Sequence, residues 1–228
     1  MNVRLETAIM PAAPDIHTKR SIVAGMLAVW CAGAAWAQAA SAVRVALPTL
    51  KNVEEVRRLT EQQAQKGYPV HLRAVVTYSD RDDLFVQDET AGIWVNRPRS
   101  VTAPAVGDWL DLEGVTAQPD FAPDIMNPHW RRLGQAPLPE PRRPTFDQMA
   151  SSAADAQWVE VEGTVRSARM EDERLRLSLA VSGGKLLVEL VNPASNGGDL
   201  VGAAVRIRGV CGTLFNSHNQ IIGIVLRL

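Results

Sequence analysis

Acidic side chains gather in one predicted turn, where Asp80, Asp82 and Asp83 lie within four consecutive positions. Closely spaced carboxylates are the ligands that Ca²⁺ prefers, so this turn is the first candidate for a metal site. The spacing lacks the glycine and the distal glutamate of an EF-hand loop, which favours a solvated hairpin turn over a calcium site. We therefore predict no bound metal, and no other pattern in the chain indicates a cofactor.

The remaining patterns give little support to catalysis. Ser182-Gly-Gly-Lys185 has the composition of a phosphate-binding loop, but it joins two predicted strands, which favours a β-hairpin turn. His71, His129 and His218 are scattered without the spacing of metal ligands. No Gly-x-Ser-x-Gly, Walker or His-Glu-x-x-His motif is present. The sequence therefore predicts a protein that is not an enzyme.

Aromatic and arginine side chains are better suited to binding, because both can stack on a base or on a sugar ring. The candidate ligand-binding residues are Tyr78, Arg81, Trp94, Arg97, Phe121, Arg174, Phe215, Asn216 and His218. The alternative interpretation is that the aromatic rings fill hydrophobic cores or a seam between two units.

The elements that must position these side chains occur twice along the chain. The segment 106–115 aligns without a gap with 201–210, and both begin with Val-Gly and end with Gly-Val. The segment 70–76 aligns in the same way with 159–165. The chain therefore resembles a duplication of one small β-rich unit.

Each unit has the pattern of five strands preceded by a short helix. Apolar residues alternate with polar ones between Gly, Pro, Asn and Asp, which is typical of half-buried strands. Asn52 with Glu55, and Thr145 with Gln148, have the spacing of helix capping pairs. The longest connection falls between the third and fourth strands, which fits the OB-fold. The predicted fold class is all-β, with two tandem OB-fold-like five-stranded Greek-key barrels, each preceded by a short helix.

Charges on the outward positions of the first and fourth strands invert their sign together between the units. The first unit has His71 and Arg73 against Asp111 and Glu113, and the second has Glu160 and Glu162 against Arg206 and Arg208. These two strands are neighbours in an OB barrel. We therefore predict cross-strand ion pairs, each contributing at most about 1 kcal/mol.

The N-terminus has the pattern of an export signal. Lys19-Arg20 precedes an apolar run from Ser21 to Ala35, and small residues suited to cleavage follow at Ala35-Trp-Ala37 and Ala37-Gln-Ala39. The alternative, an uncleaved anchor, is disfavoured because the run is short for a membrane span. The predicted organisation is a signal peptide at 1–42, a first domain at 43–136, a Pro-rich linker at 137–144 and a second domain at 145–228. The mature protein is then periplasmic or secreted, without a membrane span.

Charge and cysteine content narrow the possible partners. The formal net charge of the chain is -1, so it lacks the global basic excess that is usual for proteins that bind nucleic acid through phosphates. Cleavage of the signal leaves Cys211 as the only cysteine, which excludes an intrachain disulfide. Its place on an apolar strand face predicts a small buried hydrophobe and not a reactive thiol.

Several strings resemble the exported, OB-like sensory region of multidomain bacterial sensor histidine kinases. They are Phe85-Val-Gln-Asp88, Thr90-Ala-Gly-Ile93, Phe121-Ala-Pro123, Gln157-Trp-Val-Glu-Val-Glu-Gly163 and Arg208-Gly-Val-Cys-Gly-Thr-Leu-Phe-Asn216. The resemblance runs from about Leu50 to the C-terminus. It does not include the kinase part, so we expect no kinase activity. The first string is also similar to turns in OB domains of some secreted nucleases.

The leading hypothesis is an exported, non-catalytic module that binds a ligand or a partner, linked to two-component signalling. Its partner would be a membrane sensor kinase or another periplasmic protein, or its ligand a small molecule or oligosaccharide. One alternative is an OB accessory protein of an extracellular enzyme that binds oligosaccharide or, with less support, nucleic acid. Another is a truncated remnant of a sensor kinase gene.

Overall fold

Alternating apolar residues form ten strands in the computed structural model, which describes residues 46–117, 122–216, 218 and 220–228. The predicted signal peptide and Phe121 lie outside the described residues. The elements of the first half are α1 (Val53–Arg57), α2 (Glu61–Ala64), β1 (Pro69–Ser79), β2 (Leu84–Gln87), β3 (Gly92–Trp94), β4 (Asp108–Ala117) and β5 (Asp124–Gln135). Those of the second half are α3 (Phe146–Ala150), β6 (Trp158–Glu171), β7 (Arg174–Val181), β8 (Gly184–Val191), a 3₁₀ turn (Gly198–Leu200), β9 (Ala204–Phe215) and β10 (Ile221–Arg227).

Both halves have the strand order of an OB-fold. The first sheet has the order β3-β2-β1-β4-β5, and a parallel bridge between Val95 and Ile125 joins its two edges. The second is a closed barrel with the order β10-β8-β7-β6-β9, in which β8 and β10 are parallel. The predicted fold class is therefore confirmed, and the two aligned sequence repeats fall on β1 with β6 and on β4 with β9.

The short helices begin where the capping residues predict. The Asn52 side chain accepts a hydrogen bond from the Glu55 amide at 2.9 Å, so Asn52 caps α1. Thr145 and Gln148 form a complete capping box at the start of α3. The prediction missed α2, although Thr60 and Gln63 form the same capping box there. Four residues are too few to show a helical period, so the spacing of Thr60 and Gln63 is the signal in the sequence that indicates this helix.

The cross-strand ion pairs are confirmed in both halves. In the first, His71 Nε2 lies 2.9 Å from Asp111 Oδ1. In the second, Arg206 Nη2 lies 2.7 Å from Glu162 Oε1, and Arg208 Nε lies 2.7 Å from Glu160 Oε2. The strand registers place Glu160 opposite Arg208 and Glu162 opposite Arg206, as the neighbouring first and fourth strands require.

Each barrel has its own apolar core. Val53 and Val56 of α1 complete the first core, and Met149 of α3 completes the second. Cys211 is buried in the second core, where burial raises the pKa of its thiol to about 12. The thiol is therefore protonated and unreactive in the folded protein, as predicted for a small hydrophobe.

Candidate functional site

The outer face of β1 and β2 in the first barrel packs against the second barrel. Tyr78 and Phe85 form one buried cluster with Ala156 and Val210, and their two ring centroids are 6.2 Å apart in an edge-to-face arrangement. The Arg227 guanidinium lies 5.6 Å from the centroid of the Phe85 ring. We call this contact the seam. It covers the side of the first barrel on which OB domains commonly hold their ligands.

The acidic turn between β1 and β2 supplies the charges of the seam. Asp80 Oδ2 accepts a hydrogen bond from the Tyr78 hydroxyl at 2.8 Å and lies 2.7 Å from Arg174 Nη2. Asp83 accepts a hydrogen bond from Trp94 Nε1 at 3.2 Å, and its other oxygen lies 3.4 Å from Arg227 Nε. The hairpin turn is present, but the expectation that it is solvated is wrong for Asp80. Its carboxylate lies in the contact between the two barrels.

Side-chain hydrogen bonds fix the shape of this turn. The Asp80 carboxylate also accepts the backbone amides of Asp82 and Asp83, at 2.8 and 2.6 Å. The Arg97 guanidinium donates to the carbonyl oxygens of Asp80 and Arg81 at 3.0 and 2.8 Å. These donors satisfy backbone groups that would otherwise be left without partners, so Arg97 serves as a brace for the turn.

Burial and pairing act in opposite directions on the acidic groups of the seam. Burial raises the pKa of Asp83 above its ordinary value, although Arg227 opposes this shift. Burial would also raise the pKa of Asp80, but the hydrogen bonds from the Asp83 amide and the Tyr78 hydroxyl hold it below its usual value. Asp80 is therefore a carboxylate at neutral pH. In the part of the chain that the structure describes, no three His, Cys, Asp or Glu residues are grouped to hold a metal ion.

The seam collects three of the nine predicted site residues, Tyr78, Trp94 and Arg174, and Arg97 braces the acidic turn beside it. Arg81 contributes its carbonyl oxygen to the Arg97 brace, and its side chain is exposed. These contacts match the alternative interpretation that aromatic residues fill the seam between two units. A ligand-binding role for the five residues stays a prediction.

Three further site residues, Phe215, Asn216 and His218, lie together at the hairpin between β9 and β10. The Asn216 Oδ1 atom accepts the amides of His218 and Gln220, at 2.9 and 3.0 Å. The Asn216 amide group donates to Gln220 Oε1 at 2.8 Å. Asn216 therefore holds the chain reversal in shape.

Apolar side chains flank this hairpin and are open to solvent. Phe215 is 37% exposed, Ile221 is 47% exposed and Ile222 is 64% exposed. The strand register places Phe215 opposite Ile221. The prediction missed both isoleucines, but the sequence carried a signal: two adjacent large apolar residues in a strand cannot both face one core. We call these three residues, with Asn216, the hairpin tip.

The outer face of β7 and β8 carries both cations and carboxylates. Inward positions alternate along these strands and include Leu177, Leu179 and Val188 of the second core. Among the outward positions, Lys185 is exposed, whereas Arg176 pairs with Glu189 at 3.0 Å. This face therefore has mixed charge, and it has hydroxyl and aliphatic groups but few free cations.

Comparisons with known proteins identify no family. No protein-family model matches the chain, and no curated protein sequence matches it. Among solved structures, a murine DNA-binding protein bound to double-stranded DNA is 12% identical, with a TM-score of 0.34 over 69% of this chain and 92% of that chain. The p204 HINb domain is 12% identical, with a TM-score of 0.31 over 68% of this chain and 91% of that one. The tetrameric p202 HIN2 is 9% identical, with a TM-score of 0.31 over 71% of this chain and 86% of that one. Likenesses this low assign no ligand to the chain.

None of the helices within the described ranges has the length and apolar content to span a membrane. The longest of them has five residues.

Proposed function

We propose that the chain is a non-catalytic binding module that contacts a partner protein through the hairpin tip. The observation that supports this proposal is the exposure of Phe215, Ile221 and Ile222 on adjacent strand ends. Clustered apolar side chains of this size are costly to leave in water, and such patches mark sites of protein contact. Groups that are held in place before binding lose less entropy when they bind, and the Asn216 side chain accepts hydrogen bonds from the His218 and Gln220 amides.

The partner class follows from the N-terminal signal pattern and from the sensory-region resemblance. Both support a location outside the cytoplasm, where the exported part of a membrane sensor kinase or another periplasmic protein is accessible. In this arrangement the first barrel serves as a support that fixes the second, because its own outer face is occupied by the seam. The module would then transmit a signal to its partner through binding and not through a catalysed reaction.

Replacing Ile222 with lysine is expected to weaken partner binding by more than tenfold without changing the fold. The side chain is mostly exposed, so the melting temperature should stay within about 2 °C of the parent value. The measurement uses the full chain with a photo-reactive phenylalanine analogue at position 221, expressed in its native cells. Irradiation should crosslink one defined protein, and the Ile222→Lys change should abolish that product.

A matched probe at Val201 provides the control, because Val201 is also about half exposed but lies outside the hairpin tip. It should give no such product. Equal crosslinking from positions 201 and 221, or a product that survives the Ile222→Lys change, would contradict the proposal.

A second candidate function is the binding of an oligosaccharide or a single-stranded nucleic acid on the outer face of β7 and β8. The observation in its favour is that this face, unlike the corresponding face of the first barrel, includes exposed positions such as Lys185. A ligand of this kind raises the melting temperature of the full chain in a dose-dependent way. A shift with an oligonucleotide that is lost in Lys185→Ala and persists in Ile222→Lys would favour this candidate over the hairpin tip.

A further inference from the structure

A groove of about 330 Å³ lies between α3 and the beginning of β6, away from both the seam and the hairpin tip. The residues that matter for its chemistry are Arg143, Phe146, Met149, Glu160, Val161 and Val181. A groove with apolar walls and a few convergent polar groups is the usual form of a small-molecule site. The corresponding helix of the first barrel, α1, has its two valines fully buried against the core.

The apolar wall is held open by a contact between a ring and two glycines. Phe146 lies over the β7–β8 turn, and a Cβ atom added to Gly184 would stand only 2.3 Å from the ring. A Cβ atom added to Gly183 would stand 3.0 Å from Phe146. Because these positions lack side chains, the Phe146 ring packs against the turn. The other face of the ring borders the groove, next to Met149.

The polar group of the groove is a buried carboxylate. The Glu160 side chain is only 1% exposed, and its Oε1 atom lies 2.6 Å from Arg143 Nη2. Its Oε2 atom lies 2.7 Å from Arg208 Nε on the neighbouring strand. The hydrogen bond from Arg208, and then the charge of Arg143, hold the pKa of Glu160 below its ordinary value. The group is therefore charged at neutral pH.

The contact with the Arg143 guanidinium shows that this carboxylate accepts a cation. Its side chain is 71% exposed and comes from the Pro-rich segment between the barrels. The backbone beside it is fixed, because the Arg142 amide donates to the Trp158 carbonyl at 3.1 Å and the Glu160 amide donates to the Arg142 carbonyl at 2.8 Å. Rotation of the Arg143 side chain alone therefore leaves Arg206 Nε, at 3.8 Å, as the remaining cation beside Glu160 Oε1.

We propose that this groove binds an organic amine with an apolar body. The ammonium group takes the place of the Arg143 guanidinium at Glu160, and the apolar body lies against Phe146 and Met149. The lining contains two carboxylates, Glu160 and Glu162, and one cation, Arg143, so displacement of Arg143 removes a cation that contacts the buried Glu160 side chain. Arg208 and Arg206 remain paired with Glu160 and Glu162 on the strand side. This site is independent of the partner contact at the hairpin tip.

Arg143 competes with the ligand for Glu160, so a variant that lacks the Arg143 guanidinium tests the proposal directly. The probe is 2-phenylethylamine, titrated into the full chain by calorimetry at low salt. The Arg143→Ala variant should bind the probe about fivefold more tightly, because the Arg143 guanidinium no longer competes with it for Glu160. The Glu160→Gln variant should bind it more than tenfold more weakly. Arg99→Ala, which breaks an exposed ion pair with Asp82 at 2.6 Å in the first barrel, is the matched control and should leave binding unchanged.

Neutral and anionic analogues complete the experiment. 2-Phenylethanol should bind weakly to every variant, and 3-phenylpropionate should not compete. Weaker probe binding after Arg143→Ala would show that Arg143 does not compete with the amine, and preference for the propionate would show an anion site; either result would overturn the proposal. Failure of Arg143→Ala to bind 2-phenylethylamine at all would overturn it as well. A melting curve of each variant establishes that it is folded, and the hairpin-tip crosslink of the Arg143→Ala variant should be unchanged.

Discussion

Replacing Val210 with aspartate is expected to lower the free energy of unfolding by about 4 kcal/mol. Val210 is fully buried in the seam against Tyr78 and Phe85. Arg227 lies opposite Val210 on the neighbouring strand, but it is already paired with Asp83, so the desolvation of a carboxylate at this position is only partly compensated. Chemical denaturation of the full chain, followed by tryptophan fluorescence, measures the effect.

The matched control is Val201→Asp, which places the same charge on an exposed valine of the second barrel. It should change the free energy of unfolding by no more than about 0.5 kcal/mol. If Val210→Asp were equally mild, the seam would not be the tightly packed contact described above. A loss of cooperativity, with two separate transitions, would instead show that the barrels fold independently when the seam is broken.

Replacing Asp124 with asparagine is expected to raise the free energy of unfolding at pH 7.5 by about 2 kcal/mol. Asp124 is 2% exposed, and within the described residues neither of its carboxylate oxygens has a hydrogen-bond partner. Burial raises its pKa from 3.8 to about 6. A difference of this size between the folded and unfolded states corresponds to about 3 kcal/mol at neutral pH, and the remaining cost of a buried amide reduces the gain.

The pH dependence provides a signature that a simple packing effect lacks. Because the folded protein holds the Asp124 proton more tightly than the unfolded chain, this group favours folding below about pH 4. Its contribution is lost as the pH rises from about 4 to about 6. Asp80 and Glu160 have lowered pKa values and act in the opposite sense, but they contribute equally to the parent and the variant. The stability gain from Asp124→Asn should therefore grow between pH 4 and pH 6 and stay constant above. A gain that is independent of pH would contradict this account.

The fold could be predicted from the sequence because the alternation of apolar residues, the turn residues and the charges all indicated the same fold. The ten strands were marked by alternation and turn residues, and the sign inversion of charges on the first and fourth strands agreed with their adjacency in an OB barrel. Those ion pairs, such as Glu162 with Arg206, lie within one sheet, where strand order determines which side chains meet. The short helix α2 escaped because four residues carry no period.

The site was harder to predict, because it depends on contacts between units and not within them. Tyr78 and Arg174 are residue types that are common on ligand-binding surfaces. Nothing in their local sequence shows that the contact between the two barrels covers both of them. The Asp80 turn is likewise indistinguishable, by spacing alone, from a solvated one. Glu160 was recognised only as the partner of Arg208, since the groove beside it is created by α3 and by two glycines more than twenty residues further along the chain.

The second barrel covers the outer face of the first through a charged seam. A double-mutant cycle between Asp80→Asn and Arg174→Met tests it most directly, because this ion pair joins the two barrels at 2.7 Å. The account predicts a coupling energy of about 2 kcal/mol in the free energy of unfolding, since both groups are largely withdrawn from water. Effects that add to within about 0.5 kcal/mol would show that the two residues do not meet in solution, and would contradict the seam.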